Sequence, residues 1–203
     1  MPGPRIVGVI LAAGESARMG RPKPLLPLDG TTFLGRIIAA HRSAGIEKII
    51  VVVGAHADEI RAALAGESVE IVENPRWPEG PLTSLIAGID AAQHLLADAI
   101  MMHPVDHPAV GAEVIAAMCD VFARTGRVVV RPVFNGAHGH PVLFSKTVFD
   151  ELRAAPPEQG ARHVVHAHAA ECAAVATDDE GVILNIDTPE DYEHLRGTLH
   201  GAS

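Results

Sequence analysis

The chain predicts an α/β fold, a mainly parallel sheet covered by helices on both faces in three layers, with a small hairpin excursion late in the sequence. Three observations carry this. Apolar runs of strand length alternate with amphipathic stretches of helix length through the first two thirds of the chain. The sequence is 48% hydrophobic but only 3% aromatic, so its core is built of Ala, Val, Ile and Leu, the side chains that fill parallel strands buried on both faces. A length of 203 residues suits one such unit, and with no linker and no internal repeat we read residues 1–203 as a single domain.

The elements follow in order. Ile6–Leu11 is a buried strand. Thr32–Ala44 is a helix that Gly45 ends. Lys48–Val53 is a β-branched strand stopped by Gly54, and Ala57–Leu64 a short helix. Val69–Glu73 is a strand, followed by the breaker-rich run from Asn74 to Pro81. Leu82–Leu96 is a helix, Ala99–His103 a strand, Val110–Arg124 a helix and Arg127–Phe134 a strand. There the rhythm changes. Asn135-Gly136 is a turn, and His140–Phe144 reads as the returning arm of a hairpin. A second turn, Asp178–Gly181, is expected to link strands Ala173–Thr177 and Val182–Ile186. Thr188, followed by Pro189, caps a last helix over Thr188–Arg196.

Composition excludes several classes of function. Lys plus Arg total 16 against 25 Asp plus Glu, a formal charge of −9, and no basic cluster stands out, which argues against nucleic acid as a partner. A small anionic ligand needs only a few cations and backbone amides. No apolar run is long enough to span a bilayer. The N-terminal Met1–Arg5, with two prolines, does not resemble a signal peptide. Cys119 and Cys172 lie among Ala, Val and Met and read as buried core thiols, which fits a reducing cytoplasm.

In sheets of this kind ligands sit beyond the carboxyl ends of the strands. The run from Leu11 to Lys23 (Leu-Ala-Ala-Gly-Glu-Ser-Ala-Arg-Met-Gly-Arg-Pro-Lys) directly follows the first strand. Its glycines and alanines leave backbone amides open to a triphosphate. Arg18 can fork onto phosphate oxygens, and Lys23 can act on them as a point charge. The run is neither a Walker loop nor a dinucleotide fingerprint, because it lacks Gly-Lys-Ser/Thr and Gly-x-Gly-x-x-Gly. A surface loop with a basic end is the bland alternative. No Gly-x-Ser-x-Gly motif points to acyl transfer. The twelve histidines form no familiar zinc-ligand spacing.

Leu-Ala-Ala-Gly-x-Ser-x-Arg-Met-Gly-x-x-Lys resembles the signature of the MobA-like nucleotidyltransferases of molybdenum cofactor biosynthesis. Four later segments match in order: Gly80–Leu85, Pro104–Pro108, Gly139–Phe144 and Asn185–Tyr192. Pro81 stands where the family usually has Met, and His107 where the cytidylyl branch often has Gln. The resemblance implies a Rossmann-like fold of the nucleotide-diphospho-sugar transferase type. It also implies magnesium-dependent transfer of a nucleoside monophosphate from a triphosphate to a phosphate-bearing acceptor, molybdopterin, with release of pyrophosphate. CTP is expected over GTP, because the guanylyl branch tends to read Leu-Ala-Gly-Gly where this chain has Ala13. The nucleotide site implied is Leu11, Ala12, Ala13, Gly14, Glu15, Ser16, Arg18, Lys23 and Ser84. The catalytic set is Arg18, Lys23 and Asp106, and the metal ligands are Asp106 and Asp187. His107, Gly139, His140 and Pro141 fall on the acceptor side. A molybdenum enzyme is the expected protein partner.

Each assignment has a structural alternative. Asp106 lies just past a strand, where a hard oxygen ligand for magnesium belongs, but it could instead cap the helix that follows. Asp187 opens Asp-Thr-Pro-Glu-Asp, a good helix start by itself. Ser84 could hydrogen-bond the nucleotide or be a small first-turn residue. Two other functions use the same features: a sugar- or alcohol-phosphate nucleotidyltransferase, and a non-catalytic nucleotide-binding accessory protein of a molybdenum enzyme.

Overall fold

The structure is a computed structural model that describes residues 3–201. Met1–Pro2 and Ala202–Ser203, the ends of the 1–203 range and the start of the N-terminal segment read above, lie outside the described residues. Ten strands and seven α-helices follow one another along the described chain. In chain order they are β1 (Ile6–Ala12), β2 (Pro27–Leu28), β3 (Thr31–Thr32), α1 (Phe33–Ser43), β4 (Ile49–Val53), α2 (Ala57–Ala63), β5 (Glu70–Glu73), α3 (Pro81–His94), β6 (Ala99–Pro104), α4 (Ala112–Thr125), β7 (Val129–Phe134), β8 (Ala137–His138), β9 (Val142–Ser145), α5 (Phe149–Ala154), α6 (Ala161–Ala167), β10 (Cys172–Ala176) and α7 (Pro189–Gly201).

The main sheet runs β10-β7-β9-β6-β1-β4-β5, with β8 paired to the end of β7. β1 pairs in parallel with both β4 and β6, β4 with β5, and β7 with β10, whereas β9 runs antiparallel to both of its neighbours. The sheet is therefore mainly parallel, with helices on both faces. Strand period two divides the apolar side chains between two cores. Ile50 and Val52 of β4 face one core with Leu85 and Ile89 of α3, Phe149 of α5 and Val164 of α6. Ile49, Val51 and Val53 face the other, with Ile37 of α1, Ile60 of α2 and Ile115 of α4. All five residues of β4 are buried, which is why that strand reads as an unbroken β-branched run.

A third, smaller core joins Met19, Leu26, Leu28 and Phe33 to Ile186, Tyr192 and Leu195. It binds the short β2–β3 hairpin and the loop after β1 to α7. The Tyr192 hydroxyl donates to the Pro27 carbonyl at 2.7 Å, and its ring meets Phe33 edge-on at 5.7 Å.

Three expectations are corrected. The turn at Asn135-Gly136, both at positive φ, returns into β8 and not directly into a strand from His140. The strand β9 starts only at Val142 and inserts between β7 and β6. Val182–Ile186 is not a strand: residues 180–182 form a 3-10 turn and the chain then runs irregularly. Its backbone groups bond to loops and not to a strand edge. The Val182 carbonyl accepts from His140 N–H at 2.8 Å, and Ile186 N–H donates to the Asp106 carbonyl at 2.8 Å. Apolar alternation at Val182, Leu184 and Ile186 thus reflects packing across the sheet's end. Finally, Cys119 and Cys172 are only partly buried, at the margins of the two cores. Burial still pushes the Cys119 thiol up to about 11. No helix among the described residues is long and apolar enough to cross a membrane.

Candidate functional site

The loop after β1 is held from behind. The Ala13 carbonyl accepts from Ala55 N–H at 3.0 Å. Gly54 lies so close that a Cβ there would stand 2.6 Å from the Ala13 carbonyl oxygen and 2.7 Å from Trp77 Cγ. A glycine at the end of β4 is what lets the loop and Trp77 close together. Ser16 takes a left-handed conformation, φ 58, and its Oγ accepts from Lys23 N–H at 3.0 Å, closing the loop on itself. His56 Nε2 meets the Glu15 carbonyl at 3.0 Å.

Lys23 is largely buried, and its ammonium donates to Asp187 Oδ1. Arg18, exposed, donates from Nη2 to Asp187 Oδ2 at 3.0 Å, and Asn185 Nδ2 adds a bond to the same oxygen at 3.2 Å. The hydrogen bond from Lys23 is the main reason the Asp187 carboxyl lies below the ordinary carboxylate range. Asp187 also stands just before α7, where Thr188 Oγ1 accepts from Asp191 N–H and Asp191 Oδ2 accepts from the N–H groups of Asp187 and Thr188. Helix capping is done by Thr188 and Asp191, which frees the Asp187 side chain to face the loop.

Asp106 follows β6 at the same end of the sheet. The helix after it begins only at Ala112, with Gly111 as its cap, so Asp106 does not cap it. Asp106 Oδ1 accepts from His107 Nδ1 at 2.9 Å. Burial opposes ionisation of this carboxyl, and Asp187 adds to that. The His107 hydrogen bond, with the fields of His107 and Lys23, outweighs both and holds it below its ordinary value. The His107 carbonyl meets His103 Nε2 at 2.9 Å, and its ring packs on that of His140 at 4.6 Å. Burial pushes His140 down to about 4.

All but two of the predicted site residues line one cavity of about 880 Å³. The exceptions, Ala12 and Pro141, are buried in the packing behind it. Ser84 lines the cavity but is buried, its Oγ accepting from Asn74 Nδ2 at 3.0 Å. Asn74 was not singled out by sequence, nor were Trp77, Arg131 and Arg162, which also line the cavity. For Arg131 a signal existed: a lone cation inside the apolar run of β7.

Two carboxylates on one cavity are a donor set suited to a magnesium-sized cation. Such an ion takes one or two carboxylates and fills the rest of its shell with water and phosphate oxygens. No group of three or more His, Cys, Asp or Glu poised to hold a metal by themselves exists among the described residues. The residues present therefore fit a cation that arrives with a polyphosphate.

Comparison with known proteins shows what the chain is similar to. A profile of the MobA-like NTP transferase domain matches residues 8–189. The molybdenum cofactor cytidylyltransferase of Escherichia coli K12 is 29% identical over 91% of this chain and 92% of its own. A molybdenum cofactor guanylyltransferase of Cereibacter sphaeroides is 31% identical over 96% of this chain and 97% of its own. The solved structure of Rv0371c from Mycobacterium tuberculosis H37Rv matches with a TM-score of 0.83 and 32% identity, covering 97% of this chain and all of that one. A second structure of that protein is a complex with manganese.

Proposed function

The chain belongs to the family of MobA-like NTP transferase domains, and from that premise we propose that it transfers CMP from CTP to the phosphate of molybdopterin, with magnesium, releasing pyrophosphate. The observation that carries the reading is that Lys23 and Arg18, on the loop after β1, and Asp106, after β6, share one cavity with Asp187. On this reading residues 1–203 act as one catalytic unit.

The reaction needs no protein nucleophile. The acceptor phosphate is ionised near neutral pH, and its oxygen attacks the α-phosphorus as the bond to pyrophosphate breaks. Lys23 and Arg18 leave Asp187 and turn to the triphosphate oxygens, holding them in line and offsetting the charge that builds on the leaving group. The loop amides from Gly14 onward bind the same oxygens. Asp106 and Asp187 would hold the magnesium ion, which when bound supplies Lewis-acid charge neutralisation. His107 keeps Asp106 ionised and oriented.

The preference for CTP over GTP rests on Ala13, which lines the cavity on the loop after β1. A methyl at position 13 discriminates by excluding the larger purine. The test supplies CTP, GTP and ATP together with magnesium and molybdopterin and identifies the dinucleotide formed. A cytosine product is expected. A guanine product in excess would overturn the base assignment, and no product with any triphosphate would overturn the acceptor.

A further inference from the structure

Beyond β9 the cavity has a second charged wall. Arg131 projects from β7 on the face that Val129 shares with α5 and α6, and Arg162 lies at the start of α6. Only β9 separates β7 from β6, so Arg131 stands about 10 Å across the sheet from the strand that leads to Asp106. The carboxylates lining the cavity, Glu15, Asp106 and Asp187, belong to the loop after β1 and to the segments around the proposed metal. None is on the β7–α6 wall. Arg131 is partly buried, and its Nε is fully buried with no hydrogen-bond acceptor among the described residues. Arg18 and Lys23 have a carboxylate to rest on; neither Arg131 nor Arg162 has one among the described residues. A guanidinium fork held without an acceptor, in a cavity, is matched by an oxyanion that can take two N–H bonds at once.

We propose that Arg131, assisted by Arg162, is the acceptor's anion anchor: it binds an anionic group of the acceptor and sets which acceptors are admitted. The inference rests on the nucleotidyl-transfer reading above. It adds that the acceptor must be anionic at the end facing β7, and that an acceptor with a neutral end is rejected. Arg131 acts on binding and position, since it stands apart from the reacting phosphorus.

The first test needs no nucleotide. Inorganic phosphate is titrated into the full-length protein labelled with nitrogen-15, and the Arg131 Nε–H resonance is followed, assigned by its loss in Arg131→Gln. A saturable shift of that resonance is expected. A resonance that stays in place at every phosphate concentration would overturn the proposal, whether or not the protein transfers nucleotides. The second test compares Arg131→Gln and Arg131→Lys in the transfer reaction. KM for molybdopterin should rise at least tenfold in the Gln variant and less in the Lys variant, while KM for CTP stays within twofold. An equal rise in both KM values, or none, would assign Arg131 a merely structural role and overturn the anchor. If no transfer occurs with any acceptor, the phosphate titration still decides whether the anion site exists.

Discussion

Lowering the pH should destabilise this protein through His41, and the size of the effect follows from where that ring sits. His41 is fully buried in α1 against Gly8 of β1, with the His103 ring 5.1 Å away. Its Nδ1 donates to the Ile37 carbonyl at 3.0 Å, and its Nε2 has no hydrogen-bond partner among the described residues. A proton on Nε2 would place a charge where nothing receives it. Burial therefore drives the imidazole from 6.5 down to about 4, the bond to Ile37 opposing only in part. The unfolded chain takes up that proton below about pH 6.5 and the folded chain does not, so stability is full above 6.5 and is lost as pH falls toward 4. At about 1.4 kcal/mol per pH unit the full loss is about 3 kcal/mol, and about 2 kcal/mol is gone by pH 5. Urea unfolding at pH 7.5 and pH 5.0, on the wild type and on His41→Leu, isolates this part. The wild type should lose about 2 kcal/mol more than the variant between the two pH values. Parallel losses would refute the reasoning, for they would mean that His41 is protonated equally in both states or reaches water in the fold.

Lys23→Ala should lower turnover at saturating triphosphate by at least about a hundredfold, while urea stability falls by less than about 1 kcal/mol, since Arg18 and Asn185 remain on the partly exposed Asp187. An unchanged rate would remove Lys23 from the phosphate site. Asp106→Asn keeps an oxygen for His107 Nδ1 but loses the charge, so metal-dependent turnover should drop by two orders of magnitude or so with the melting temperature nearly unchanged; normal turnover with magnesium would sink its proposed metal role. Gly54→Ala puts a methyl into the Ala13 carbonyl and Trp77, which should cost about 1–3 kcal/mol and weaken CTP binding measured by thermal shift, and a variant as stable as wild type would show that the loop has room to move.

What was legible in the sequence was what depends on local pattern. The run Ile49–Val53 announces a strand buried on both faces, and Leu11–Lys23 announces a loop after a strand, much of which lines the cavity. Thr188-Pro189 marks a helix start that the Thr188 and Asp191 bonds confirm. What depends on distant partners was not legible. Val182–Ile186 has the alternation of a strand, but its backbone bonds to His140 N–H and the Asp106 carbonyl in place of a strand. The helix α5 is only six residues long and α6 seven, too short for a helical period to stand out. Nothing local says that Lys23 rests on Asp187, that Trp77 closes on Gly54, or that Asn74 holds Ser84. In Arg131 the cation is visible, but that no carboxylate among the described residues pairs with it can be seen only when both faces of the sheet are in place.

The small core of Met19, Leu26, Leu28, Phe33, Ile186, Tyr192 and Leu195 has a consequence for the order in which the protein is made. A polypeptide emerges from the ribosome N-terminus first, so Leu11–Lys23 is available while most of the sheet is still being synthesised. The hydrophobic backing of that loop, and the carboxylate on which Lys23 rests, arrive 164 residues later with Asp187. Until then Met19 and Phe33 lack the Tyr192 side of their packing, and Lys23 has no rest. A nascent chain that ends before Asp187 therefore lacks the partners that hold this loop in the folded geometry. That geometry is complete only once Tyr192 and Leu195 of α7 are in place.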